Sequence, residues 1–300
     1  MTISYCLMTK IPTALDILLN PFAKYTLPLD EWINIGVEVL VQNFRPIFQA
    51  IRFPISLALD GIESLLLSIP PLIFMIVVGL IVWKIAGRGI AIYSILALTI
   101  IGLVGVWQEA VMTLALVGTA VGFCVMVGIP IGIACARNQR LDRLIRPLLD
   151  LMQTFPTFVY LVPAVMLFGI GKIPGAIATI IVAVPPLIRL TILGIKQVSP
   201  EIVEAAKAFG SSPGQILWEI QLPLAIPTIL AGVNQTVLFA LRMSVIASMI
   251  AADGLGMIVL QGINRLDLGM ATVGGLGIVA IAIMLDRITQ AVGKQWTVDN

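Results

Sequence analysis

Histidine is absent from the 300 residues of this chain. That absence removes imidazole metal sites, histidine general bases and histidine proton relays together. Charge is scarce too. Asp, Glu, Lys and Arg make up 11% of the sequence, where a soluble domain carries about a quarter, so a soluble enzyme is excluded. Cysteine is rare. Cys124 and Cys135 lie eleven residues apart in one apolar run, and a helix cannot bring them face to face as a disulfide. They read as small packing residues, and Cys6 alone makes no framework. No Gly-x-x-x-x-Gly-Lys-[Ser/Thr] loop occurs; Gly169-Ile170-Gly171-Lys172-Ile173 has neither the spacing nor the final residue. No secretory leader is expected, because Lys10 and Asp16 interrupt the N-terminal apolar stretch and no small-residue cleavage site follows. The net charge of +2 includes no basic run outside the membrane flanks, so no nucleic-acid partner is expected.

What is present is apolar sequence. Hydrophobic residues account for 59% of the chain, with a mean hydropathy of +1.06. Lipid, not a soluble core, must cover most of it. A spanning helix needs roughly 20 predominantly apolar residues. Seven stretches meet that: 65–83, 89–107, 110–136, 149–170, 173–195, 224–252 and 268–292. Pro130, Pro156, Pro163, Pro185, Pro186 and Pro227 fall inside them and predict kinks, which membrane neighbours tolerate. The fold class expected is an all-α membrane protein of about seven spans preceded by amphipathic helices. Residues 1–64 form an external or interfacial amphipathic region, 65–107 two accessory spans, 108–293 the core, and 294–300 a short tail. In the first region Asp30-Glu31 opens a helical pattern, Trp32, Ile35, Val39 and Leu40 recur at helical spacing, and Pro46 interrupts.

Orientation follows from the basic residues. Placing Arg137, Arg140, Arg143 and Arg146 inside puts Lys84, Arg88, Arg189, Lys196, Lys207, Arg287 and Lys294 inside as well, eleven of the 18 in the chain. The outer loops hold only Lys172 and Arg265. The N-terminus is then external, and the C-terminus and the loop 199–223 are cytoplasmic.

That loop is the most specific stretch. Ser199 caps a helix, Pro200 opens it and Glu201 sits in its first turn. Ile202, Ala205, Ala206 and Phe209 follow at helical spacing, and the two alanines let another backbone approach. Gly210 permits the left-handed residue that ends a helix. Ser212-Pro213 starts a second short helix carrying Ile216, Leu217 and Ile220, and Pro223 closes it before the next span. Helix, glycine turn and helix make a compact knob suited to a groove on a partner.

Glu204-Ala205-Ala206, three residues, Gly210, nine residues, Ile220, one residue and Leu222-Pro223 resemble the EAA signature of ABC importer permeases. Residues 152–163 and 185–195, with Gly232-Val233-Asn234-Gln235-Thr236 and Arg265-Leu266-Asp267, are similar to permeases of glycine betaine/proline betaine importers, over about residues 27–293. The resemblance implies a type I ABC importer fold and a bacterial inner-membrane subunit. It further implies a second copy as a homodimer, two ATPase subunits that hold ATP and Mg, and a periplasmic or lipid-anchored substrate-binding protein. This chain itself would bind no cofactor and catalyse nothing. Glu204, Ala205, Ala206, Gly210, Ile220, Leu222 and Pro223 would couple to the ATPase.

Arg242 sits in a span, where an ionisable residue is costly and usually functional, and where the family pattern has a small neutral residue. With Gln153, Asn234, Gln235 and Tyr160 it is a candidate for the translocation path; interhelical hydrogen bonds are the competing explanation for the amides. Tyr160 and Phe155 could also offer cation–π contact to a quaternary ammonium. Rival readings are a permease of the same fold for an amino acid or choline, and an ATP-independent secondary transporter. The latter calls for a carboxylate or histidine relay within the membrane, and the inner spans are read as free of acids.

Overall fold

The computed structural model describes residues 28–298, and among them every regular element is helical. The expectations for residues 1–27, Cys6 and the missing leader among them, and for the last two residues of the tail lie outside the described residues. The chain divides into two units, residues 1–45 and 46–300. Helix α1, Leu29–Ser68, has residues in both. In the first unit it begins at the acidic pair, and Trp32, Ile35 and Val39 are exposed, as a surface-lying apolar face requires. The interruption expected at Pro46 does not occur: Pro46 and Pro54 both lie inside α1. A proline removes one N–H from the ladder, and a helix carries it where the freed carbonyl finds another donor.

In the second unit α2 (Pro71–Ala86) and α3 (Arg88–Leu103) form a hairpin about Gly87. Then come α4 (Trp107–Arg137), α5 (Gln139–Thr154), a 3-10 turn (Thr157–Tyr160) and α6 (Leu161–Phe168). They are followed by α7 (Lys172–Lys196), α8 (Pro200–Ala208), α9 (Pro213–Ile250), α10 (Leu255–Asn264) and α11 (Leu268–Val298).

Four helices, α4, α7, α9 and α11, are long and apolar enough to cross a membrane, or up to six if each of two bent pairs is one span. The seven stretches read from the sequence therefore differ in kind. Stretch 89–107 is the 16-residue α3. Stretches 65–83 and 149–170 are broken, with bends of 106° between α1 and α2 and between α5 and α6. Both breaks have one cause. Pro70 (φ −54°, ψ 139°) and Pro156 (φ −55°, ψ 132°) are extended and stand just ahead of the next helical segment. The residue before each is also biased away from helix. Pro130, Pro185, Pro186 and Pro227, by contrast, sit inside continuous helices.

Helix α7 is the centre, packed between α4 and α9; Ala176, Ala178, Ala183 and Leu187 on it are fully buried. In lipid there is no hydrophobic drive between helices, so close packing of small residues must hold them. Gly132 of α4 illustrates this: a Cβ there would come within 2.5 Å of the Thr191 Cβ of α7. Cys124 and Cys135 are buried and free, and the Cys124 thiol faces the Ile180 carbonyl at 3.6 Å. At the opposite end of α7 from the loop, the Lys172 ammonium meets Asp60 and Glu63 of α1 at 2.8 Å each. Phe48 also packs edge-on against Phe168 at 5.7 Å.

Candidate functional site

Helix α8 starts at Ser199 with Pro200 in its first turn, and the Ser199 side chain makes no cap hydrogen bond. The expected serine cap is therefore one of position only; proline at the first helical position and Glu201 beside the helix N-terminus set the start. The end of α8 is as the glycine implied. Gly210 has φ 85°, its N–H donates to the Lys207 carbonyl at 2.9 Å, and the Ser211 N–H donates to the Ala206 carbonyl at 3.0 Å. That pair of bonds is the Schellman arrangement.

The second helix begins with a reciprocal cap. The Gln215 N–H donates to the Ser212 hydroxyl at 3.3 Å, and the Ser212 N–H donates to the Gln215 side-chain oxygen at 2.9 Å. Sequence reasoning passed over Gln215, although the Ser-x-x-Gln spacing signals it. Pro223 does not close this helix. A π segment, Ile216–Gln221, carries the chain straight into the long part of α9. The Leu222 N–H reaches back to the Leu217 carbonyl, which lets the backbone pass a proline that has no N–H of its own.

The knob's faces are unequal. Ala206 is buried and Ile216 and Leu217 anchor the base, while Glu204, Ala205 and Gly210 are exposed. Ile220, Leu222 and Pro223 are half-buried. The two alanines thus differ: Ala206 packs within the chain, and only Ala205 is open to a partner's backbone. Phe209 at the tip is 91% exposed and Ile202 is 44% exposed. An exposed apolar tip at a glycine turn is a surface that a groove on another chain can take up.

The other candidate residues separate into two groups. The Arg242 guanidinium lies over the Phe239 ring at 5.4 Å and is exposed, as is Gln235 one heptad before it on α9. Phe239 and Tyr160 pack on one small cluster with Leu161, Ala164 and Met243. The Tyr160 hydroxyl donates to the Met152 carbonyl at 2.8 Å across the α5–α6 break, and its ring stands edge-on to Phe155 at 6.3 Å. Gln153 is exposed beside that break. Asn234 faces elsewhere: its amide donates to Asp286 of α11 at 3.1 Å and accepts from the Thr289 hydroxyl. Asp286 also takes two bonds from Gln290, at 2.8 and 2.9 Å. The reading of the spans as free of acids is therefore corrected, since Asp286 lies inside 268–292.

At the loop end of α7, Asp142 is a second charged centre that sequence reasoning missed. Its carboxylate is 5% exposed, accepts from Arg146 Nε at 2.8 Å and Nη2 at 3.0 Å, and also accepts from the Lys196 ammonium. The Arg146 guanidinium and then Lys196 hold this carboxyl below the usual range against the opposing effect of burial. Among the described residues no group of three His, Cys, Asp or Glu side chains could hold a metal ion.

Comparison with known proteins gives the family and the fold. Residues 128–297 match the family model described as "Binding-protein-dependent transport system inner membrane component". ProW of Escherichia coli (strain K12), a glycine betaine/proline betaine transport system permease protein, is 56% identical over 277 residues, covering 92% of this chain and 78% of the relative. OpuAB of Bacillus subtilis (strain 168), a glycine betaine transport system permease protein, is 43% identical over 264 residues, covering 88% and 94%. Among solved structures, a chain of the MetNI methionine ABC transporter in an inward-facing conformation superposes with a TM-score of 0.58 at 20% identity, over 65% of this chain and 96% of that one. The fold is that of a type I ABC importer permease, and the chain belongs to the family of binding-protein-dependent transport system inner membrane components.

Proposed function

We propose that this chain is the membrane subunit of an ATP-driven importer of glycine betaine and proline betaine. The observation that carries the coupling is the loop 199–223: a rigid helix, a left-handed Gly210 and a capped second helix, with Phe209 and Ala205 outward. It seats in a groove of an ATPase subunit, which holds ATP and Mg; two such subunits act on two copies of this chain. Closure of the ATPase pair moves both loops, and the spans rock between outward- and inward-facing cavities. A substrate-binding protein, periplasmic or lipid-anchored, delivers the solute at the outer mouth. The N-terminus is outside and the C-terminus in the cytoplasm.

The betaine assignment rests on the relatives' substrates and on the exposed face of α9. Arg242 and Gln235 line the path there, with Gln153 and Tyr160 on the broken α5–α6 segment across from them, while Asn234 braces α9 against α11. A fixed guanidinium in a low-dielectric cavity attracts a carboxylate and repels a bare cation. Betaine is a zwitterion and choline only a cation, so Arg242 favours betaine. Paired uptake of the two solutes, with one binding protein, tests this. Arg242→Ser should narrow the betaine-to-choline ratio and leave coupling to ATP hydrolysis intact. An unchanged ratio would make Arg242 a structural partner of Phe239 instead.

A further inference from the structure

A cavity of about 560 Å³ lies at the root of the loop, between the ends of α4 and α7 and the inner side of α8. Three cations line it, each from a different element: Arg137 at the end of α4, Lys196 at the end of α7 and Lys207 in the last turn of α8. Ser211 and Gln221 are the other polar residues that line it, and no Asp or Glu is among its lining residues. Among the described residues the side chains of Arg137 and Lys207 form no ion pair and no hydrogen bond. Lys196 is different. Its ammonium is held by the buried Asp142 carboxylate, itself gripped by Arg146, which fixes it in place and leaves further N–H groups to donate.

Lys196 is already offset by Asp142, but Arg137 and Lys207 are uncompensated like charges on one concavity, and an anion placed there relieves their repulsion while taking charge-assisted hydrogen bonds from all three. The volume falls in the range of about 300–1,000 Å³ usual for small-ligand sites. The number of donors selects the anion. Guanidinium and two ammonium groups on three separate elements call for at least three acceptor oxygens directed apart. A carboxylate has two oxygens, and a phosphate has more. Ser211 and Gln221 add neutral donors suited to the same group.

We propose that this cavity binds a phosphate group, supplied either by an anionic phospholipid of the inner leaflet or by a soluble phosphate, and that the bound group ties the loop to the ends of α4 and α7. The site is made wholly of this chain's residues and holds whether or not the loop docks on an ATPase. A diffuse attraction of the basic flank to a membrane surface is the competing account, and it treats Arg140 and Arg143, which line a neighbouring shallow patch that Arg137 borders but Lys196 and Lys207 do not, the same as the cavity cations.

The full chain, purified and delipidated in an uncharged maltoside detergent, is titrated with inorganic phosphate and, separately, with phosphatidylglycerol. Binding is read by calorimetry for the first and by native mass spectrometry for the second. Three proteins are compared: wild type, Arg137→Gln/Lys207→Gln and Arg140→Gln/Arg143→Gln, with equal melting temperatures before addition of either probe as the check that all are folded. The cavity double variant should bind about tenfold or more weakly, having lost two charge-assisted contacts, and the flank double variant should bind as wild type. Binding of phosphate identifies a soluble source, and binding of phosphatidylglycerol alone identifies the lipid. Equal loss in both double variants, no loss in either, or no binding of either probe to wild type overturns the proposal.

Discussion

At the scale of single residues, Gly210 is the sharpest test of the loop. A Cβ added there meets nothing within 4 Å, so a substitution acts through the backbone alone. Its φ of 85° lies where L-residues are strained by about 1–2 kcal/mol, and a β-branched residue suffers most. Gly210→Val should therefore open the turn that aims Phe209. Transport should fall sharply while the amount of chain in the membrane stays unchanged, and Gly210→Ala should be milder. Uptake and membrane content measured together check this; Gly210→Val with full transport contradicts it. Asp286 carries a different expectation. It accepts hydrogen bonds from Asn234 and Gln290, which makes it a brace between α9 and α11 rather than a proton relay. Asp286→Leu should lower thermal stability by about 1 kcal/mol, the order found for interhelical bonds in membranes. Uptake by the wild type should persist when the proton gradient is collapsed and ATP maintained.

At the scale of elements, the helices were legible in the sequence, and of the two breaks the one at Pro156 was among the predicted proline kinks while the one at Pro70 was not. Long apolar runs can be nothing but helix in lipid, because every backbone group must be paired within the segment. The proline positions, however, look alike on paper. Pro185-Pro186 sits mid-helix in α7, wrapped by α4 and α9, whereas Pro70 and Pro156 begin new segments after bends of 106°. What separates them is tertiary support, which no local pattern encodes. The loop was legible for the opposite reason. Pro200 and Pro213 restrict the backbone by covalent geometry, Gly210 is free to take the left-handed conformation, and each stands where that property placed it. The π segment escaped notice because it expresses a choice of hydrogen-bond register around Pro223 rather than a residue preference. Of the proposed path residues, Arg242, Gln235 and Gln153 are exposed in the structure. The engagement of Asn234 by α11 needed a partner 52 residues away.

At the scale of the molecule, orientation and power source come together. The basic count predicts that Asn138 and Ser211 face the cytoplasm and Lys172 the exterior, where it pairs with Asp60 and Glu63 of α1. Reporter fusions or cysteine accessibility at these three positions should give that pattern, and an external Ser211 would remove the loop from reach of any ATPase. The central claim is that ATP hydrolysis on a separate subunit, acting through the loop, drives betaine uptake. It is tested most directly by reconstituting this chain with the ATPase and binding protein of its own system and measuring glycine betaine uptake with ATP trapped inside or outside the vesicles. If the loop docks on the ATPase, uptake should occur only when ATP is on the face that carries the loop, and it should stop when the ATPase is omitted. Uptake that proceeds without the ATPase, driven by an ion gradient alone, would contradict the account.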